Sequence, residues 1–164
     1  MPDKINPIRP TDDEARTLAR DLLAGARFAA LAVIDPSTGG PFVSRVALGL
    51  APDGMPVTLI STLSQHTRAL MADPRASLLV GEPGPKGDPL THPRLTVQAR
   101  AAFVSRDDPD HVAIRAKYLN EHPKAKLYAD FGDFTFVRLH PTGAALNGGF
   151  GKAYALGPDD LGMA

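Results

Sequence analysis

Between Ser61 and Leu79 the chain reads STLSQHTRALMADPRASLL, which crowds Ser64, His66, Thr67 and Arg68 into what reads as the opening turn of a helix. A helix start presents unpaired backbone N–H groups and a partial positive charge, so it suits an anion such as phosphate. With Ser64 as N-cap, His66 and Thr67 fall in the first turn, Arg68 stands just behind, and Pro74 stops the helix. Spacing alone leaves a second reading open, a capped surface helix on which His66 and Arg68 are simply solvated.

Other chemistries are sparse. There are no cysteines, which excludes disulfides, thiolate zinc sites and iron–sulfur ligation. The five histidines, His66, His92, His111, His122 and His140, are scattered without metal-ligand spacing, and the last four read as solvated or loop residues. No nucleophile triad, Walker loop or dinucleotide fingerprint is present, the nearest glycine string being GGFG at 148–151. Any difficult redox step would therefore belong to a bound cofactor, with the protein binding and orienting it.

The turn must be held by strands. Thr11 and Glu14 form a capping-box pattern ahead of Ala15, Leu18, Ala19, Leu22, Leu23 and Ala26 at helical spacing, so residues 1–26 read as a helical segment. Phe28 to Ile34 is a short run apolar on both faces, read as an interior strand. A second strand is expected from Phe42 to Leu50, with Arg45 on its face of small residues, and after the Pro52–Gly54 turn a third runs from Val57 to Thr62 as a meander. Ala76–Val80 makes a fourth strand. The Gly/Pro-rich loop from Glu82 to Pro93 reads as a lid, a dimer contact or a floppy connection. A fifth strand covers Leu95–Val104, a helix opening at Asp108 and Pro109 carries Val112, Ala116 and Leu119 inward, and further strands follow at Phe134–Leu139 and Gly143–Leu146.

Repeated antiparallel strands with a few flanking helices predict a mainly β, α+β barrel, because closure removes exposed edges. The 164 residues, 43% hydrophobic, suit one domain or a pair of chains sharing a core. Eighteen basic residues balance eighteen acidic ones, so no summed field draws the protein to nucleic acid or an anionic membrane. No apolar run approaches the roughly 20 residues that span a bilayer, and the N-terminus carries no apolar signal segment, which makes a cytoplasmic location the default expectation.

SRV at 44–46, the segment Ser61 to Leu79, GDPL at 87–90 with RLTV at 94–97, YLNEHP at 118–123 and GGFGKA at 148–153 together resemble the pyridoxamine 5'-phosphate oxidase-related family, in its haem-utilisation branch. The order and spacing match over nearly the whole chain. The resemblance implies a Greek-key-like split β-barrel over residues 27–156 that pairs as a homodimer, with flavin mononucleotide (FMN) in the groove between subunits. It also implies that Arg45 and Val46 lie beside the flavin, that Ser61 and Thr62 lie near the ribityl phosphate, and that His66, Thr67 and Arg68 surround the phosphate oxygens. Phe150 and Lys152 would approach the ring or the substrate from the partner. The branch commonly carries asparagine where this chain has Ala69 and glycine where it has Ala99, and its haem-binding members extend beyond the equivalent of Ala164. The resemblance therefore ranks an FMN-dependent oxidoreductase of a small molecule first, a haem-binding or haem-degrading protein second, and a cofactor-free barrel dimer acting by interaction third.

Overall fold

A bend at Leu48 closes a row of strands into a ring. The computed structural model describes residues 5–163. Its strands are β1 Ile8–Arg9, β2 Phe28–Ile34, β3 Pro41–Ala47, β4 Gly49–Leu50, β5 Pro56–Ser61, β6 Arg75–Val80, β7 Arg94–Val104, β8 Phe134–Asn147 and β9 Ala153–Leu156, and its helices are α1 Asp13–Gly25, α2 Gln65–Ala72 and α3 His111–Glu121. The expected second strand is thus two strands. β3 pairs with β2, whereas β4, one residue further on, pairs with β5. At the junction Leu48 N–H donates to the Arg27 carbonyl (2.9 Å), and the Leu48 carbonyl accepts from His122 Nε2 (2.8 Å), so neither group is left for a ladder. Thr58, buried on β5, donates its hydroxyl to the Ala47 carbonyl across the same junction (2.7 Å).

The ring then runs β2, β3 with β4, β5, β8, β7, β6 and back to β2. This is the split β-barrel of an α+β fold, antiparallel at every one of these steps. The meander holds at its turn, where β4 pairs with β5, and is corrected beyond it, where β5 adds to β8 and not to β3. The two strands expected at 134–139 and 143–146 are one 14-residue strand, β8, whose free edge is shared between β5, up to Arg138, and β9, from Ala144. Pro141 lies in the gap between these partners, where a missing N–H costs no ladder bond, and Thr142 bulges opposite the Gln98–Ala99 step of β7. Outside the ring, β9 pairs in parallel with β1, so the N-terminal segment holds a strand as well as a helix.

Alternating residues fill the barrel. Leu31, Val33, Leu78, Val97, Leu139 and Leu146 are buried with Ala15, Ala19 and Leu23 of α1, which covers one end. The N-cap of α1 is Asp12, whose Oδ1 accepts from Ala15 N–H (2.8 Å), while Thr11 is drawn away to donate to the Ala155 carbonyl (2.9 Å). A second core lies outside the ring, where α3 packs on β5 and β8 through Ile114, Tyr118, Leu119 and Phe136. Here the inward stripe differs from expectation. Val112 is 76% exposed and Ala116 is exposed, because the larger Ile114 and Tyr118, four apart, take the buried face. Among the described residues no helix is long and apolar enough to cross a membrane.

Candidate functional site

Strand β5 hands over to α2 at the turn singled out by the sequence, and the local bonds there explain its shape. Ser61 Oγ donates to Asp133 Oδ2 (2.7 Å) and accepts from Leu63 N–H (3.1 Å), while Thr62 N–H donates to the Asp133 carbonyl (2.7 Å). Asp133 thus ties off the strand end. Ser64 occupies the N-cap position with extended backbone, yet its hydroxyl caps nothing, so the first-turn N–H groups of α2 keep their positive field without a side-chain partner. Gln65 Nε2 reaches back to Asp35 Oδ2 (3.1 Å), and the Asp35 carboxyl is held below its ordinary range chiefly by the Ser37 hydroxyl and N–H.

The three residues that follow point in different directions. Arg68 is exposed. His66 is half-buried and shares a 3.1 Å hydrogen bond between its Nδ1 and Ser44 Oγ, and burial lowers its pKa, favouring the neutral ring. Thr67 is fully buried and its Oγ1 has no hydrogen-bond partner, which is a costly state for a hydroxyl in a core.

Ser44 also lies at the rim of a groove on the outer face of the barrel. That face is carried by the alternate residues of β2, β3 and β6, where Arg45 pairs across to Ala30 and Ala30 to Leu79. The groove measures about 890 Å³ and is walled by Phe28, Ala30, Val43 and Leu79 on the strands and by Pro83, Pro89 and Leu90 on the loop after β6. Three arginines, Arg27, Arg45 and Arg94, stand along it, with Asp21 and Glu82 as the acidic lining. Arg45 lies over the Phe28 ring with its guanidinium carbon 5.4 Å from the centroid, a cation–π arrangement that leaves its fork free to bind. Phe28, Val43 and Leu79 are 41%, 62% and 46% exposed, so an apolar floor remains open to a ligand or partner.

The structure separates the remaining sequence-predicted residues from the α2 turn, while the β8–β9 turn approaches the loop after β6, a Cβ on Gly149 lying 3.3 Å from the Thr91 carbonyl oxygen. Val46, adjacent to Arg45, faces the other way into the barrel core. Phe150 and Lys152 sit in the β8–β9 turn, both exposed, Phe150 at 95%. That turn lies beyond Asn147, which pairs with Arg94 at one end of the sheet, whereas Gln65 meets Asp35 past the opposite end of β2. Ala69 and Ala99 are both buried in the barrel core, so these two departures are packing positions. Sequence reasoning missed Asp133, Asp35, Arg27 and Arg94. Asp133 meets Ser61 across 72 positions, and nothing local announces it. The described residues contain no group of three or more potential metal ligands, and no histidine lines the groove.

Comparison with known proteins matches residues 16–147 to the pyridoxamine 5'-phosphate oxidase family. The chain is 31% identical over 133 residues to the heme oxygenase HutZ of Vibrio cholerae, covering 80% of this chain and 74% of that protein. It is 40% identical over 105 residues to the chloroplastic heme oxygenase HOZ of Arabidopsis thaliana, covering 63% of this chain and 30% of that protein. A solved heme binding protein from Mycobacterium smegmatis superposes with a TM-score of 0.82 at 31% identity, covering 94% of this chain and 61% of its own. The chain thus spans less than two thirds of the Arabidopsis and mycobacterial proteins.

Proposed function

Because the chain belongs to the pyridoxamine 5'-phosphate oxidase family, we propose that it binds haem in the groove beside Arg45 and takes part in the oxidative breakdown of that haem. The observation that carries this reading is the groove itself. Its volume falls within the range of small-molecule sites, its floor is apolar, and three arginines line it. A porphyrin with two propionates has this character. Arginine pairs carboxylate through two parallel bonds, which fixes orientation as well as affinity. Of the three, Arg45 is already braced on Phe28. Support also comes from the relatives named for haem, which reverses the order in which the sequence ranked flavin and haem.

The residues present fit the ring and its acids. No histidine lines the groove, so the reading assigns capture and orientation to this chain and no axial ligand. Bound haem supplies the oxygen chemistry, with dioxygen as oxidant and an external electron donor. The half-exposed apolar face formed by Phe28, Val43 and Leu79 supports a second copy of the chain as the cover, giving a homodimer with the ligand at the seam.

A second reading, FMN, is favoured by one observation at α2. There the uncapped first turn, exposed Arg68 and the unpartnered Oγ1 of Thr67 suit a phosphate. In that reading Ser61, Thr62, His66, Thr67 and Arg68 hold the phosphate, Arg45 and the Val46 backbone flank the ring, and Phe150 and Lys152 come from the second copy. Absorption spectra decide between the two. Titration of the purified protein with haem is expected to give a saturable Soret band that weakens in Arg45→Ala and Arg94→Ala. Flavin bands in the protein as isolated, with no Soret shift on titration, would overturn the haem reading.

A further inference from the structure

The loop from Glu82 to Pro93, which the sequence leaves as lid, contact or floppy connection, is organised around a single ring. Gly84 N–H donates to His92 Nδ1 (3.2 Å), and His92 Nε2 meets the Lys86 carbonyl (2.6 Å). A backbone N–H can only donate and a carbonyl can only accept, so the two partners together fix the neutral tautomer with its hydrogen on Nε2. Both ring nitrogens are then used. The ring also fills the loop physically, since a Cβ on Gly84 would stand 3.2 Å from His92 Cε1.

The rest of the loop is built on this clasp. Asp88 accepts from Leu90 N–H and opens a 3-10 turn over Pro89–Thr91, and Thr91 Oγ1 returns to the Asp88 carbonyl (2.7 Å). Arg94 donates to the carbonyls of Leu90 (3.0 Å) and His92 (3.3 Å). At the neck, Gly81 takes φ +103°, and a Cβ there would lie 2.6 Å from the Pro93 carbonyl oxygen, so the two ends are in contact. A compact loop with touching ends and an internal side-chain filling is an Ω-loop. Pro83, Pro89 and Leu90 of this loop are the groove wall that faces Phe28 and Leu79.

We propose that His92 is a positioning residue for the ligand of this groove: its neutral ring clasps Gly84 to Lys86 and so holds the loop as a wall over the bound ring system. The proposal rests on the reading of the groove as a haem site. Removing the clasp leaves the sheet intact, because β6 and β7 remain paired from Arg75 to Val80 whatever the loop does. The loop then opens, Leu90 and Pro89 leave the groove, and Arg94 loses the carbonyls that aim it.

The test compares the full chain with His92→Phe, which keeps the ring and removes both nitrogens, and with His92→Asn, whose Oδ1 restores an acceptor for Gly84. Amide exchange of the ligand-free proteins reads the clasp, and haem dissociation into an excess of a haem scavenger reads the wall. In His92→Phe, Gly84 exchange is expected to rise roughly 10-fold with β6 and β7 unchanged, and haem dissociation to accelerate by about the same factor, as the loss of the two ring hydrogen bonds implies. His92→Asn is expected to recover most of the Gly84 protection and slow dissociation again. Unchanged Gly84 exchange in His92→Phe overturns the clasp, and an opened loop with unchanged haem dissociation overturns the wall while the haem reading stands. Wild-type protein that takes up no haem overturns the groove assignment and the positioning role with it.

Discussion

His66 Nδ1 lies 3.1 Å from Ser44 Oγ, a hydrogen bond that joins the first turn of α2 to the middle of β3. Burial holds the ring toward its neutral form. A histidine whose folded pKa is lowered binds its proton more readily in the unfolded chain, so stability is full above the unfolded pKa and falls as pH drops toward the folded one. Denaturant midpoints measured from neutral pH down through pH 5 are expected to decline, and His66→Gln is expected to flatten that part of the decline. A midpoint that moves identically with pH in both proteins would refute the assignment.

Arg68 is the exposed cation beside the uncapped start of α2. If a phosphate is held there, Arg68→Ala weakens FMN or inorganic phosphate binding by about 1.5–3 kcal/mol, the usual worth of a charge-assisted hydrogen bond, with the thermal midpoint unchanged. Isothermal titration of both proteins checks this. Equal affinities would leave the turn as a plain surface helix.

Asp12, and not Thr11, caps α1. Asp12→Ala is therefore expected to cost about 1 kcal/mol in urea unfolding. Glu14→Ala, which removes the acceptor that the capping-box reading requires, is expected to cost much less. A larger loss in Glu14→Ala than in Asp12→Ala would restore the sequence-based cap.

Phe136 is 2% exposed and stands edge-on to Tyr118 at 5.3 Å between centroids, joining β8 to α3. Phe136→Ala is expected to lose about 3–5 kcal/mol by lost transfer energy and the cavity left behind. Since this second core lies outside the ring, the loss should appear first as exchange of α3 amides. Uniform loosening of β2 and β6 instead would show that the two cores are not separable.

Asp73 and Arg75 flank Pro74 and bond in parallel, Arg75 Nη2 to Asp73 Oδ2 at 2.6 Å, and the Arg75 guanidinium and N–H hold the Asp73 carboxyl down to about 2. In an NMR pH titration the Asp73 carboxyl is expected to protonate well below the ordinary aspartate range, and Arg75→Ala to return it there. The sign is that of a depressed carboxylate: its stabilising share is present above the unfolded pKa and disappears as pH falls through the folded one. A titration midpoint unmoved by Arg75→Ala would disprove the pairing in solution.

Local signals were legible where the chain decides locally. The run from Phe28 to Ile34 has the same bounds in the structure because Pro36 and the Gly39–Gly40 pair end it within the sequence itself. The turn from Ser64 to Pro74 is likewise a helix with the expected start. The break at Leu48 was not legible, because its cause is His122, 74 positions away. β1 and β9 are too short to announce themselves and exist only as each other's partners and those of β8. On α3 two apolar spacings compete, and side-chain size decided for Ile114 and Tyr118. In the site, the hydroxyls and cations of one turn and Arg45 were readable, whereas the other two groove arginines were not, since Arg27 and Arg94 stand at strand ends where arginine is unremarkable by type. The His92 clasp spans only eight positions, yet its signal is a tautomer, which a string of letters does not carry.

The pairing of Ile8 and Arg9 with Ala153 and Tyr154 sets an order on assembly. During synthesis the first of these partners waits, unpaired, until β9 has been made, and closing so long an interval is entropically slow. The barrel strands, by contrast, find most of their neighbours earlier. Docking of β1 on β9 should therefore be a late step of folding, and a tether that restrains β1 should delay that step while leaving the ring to form unhindered.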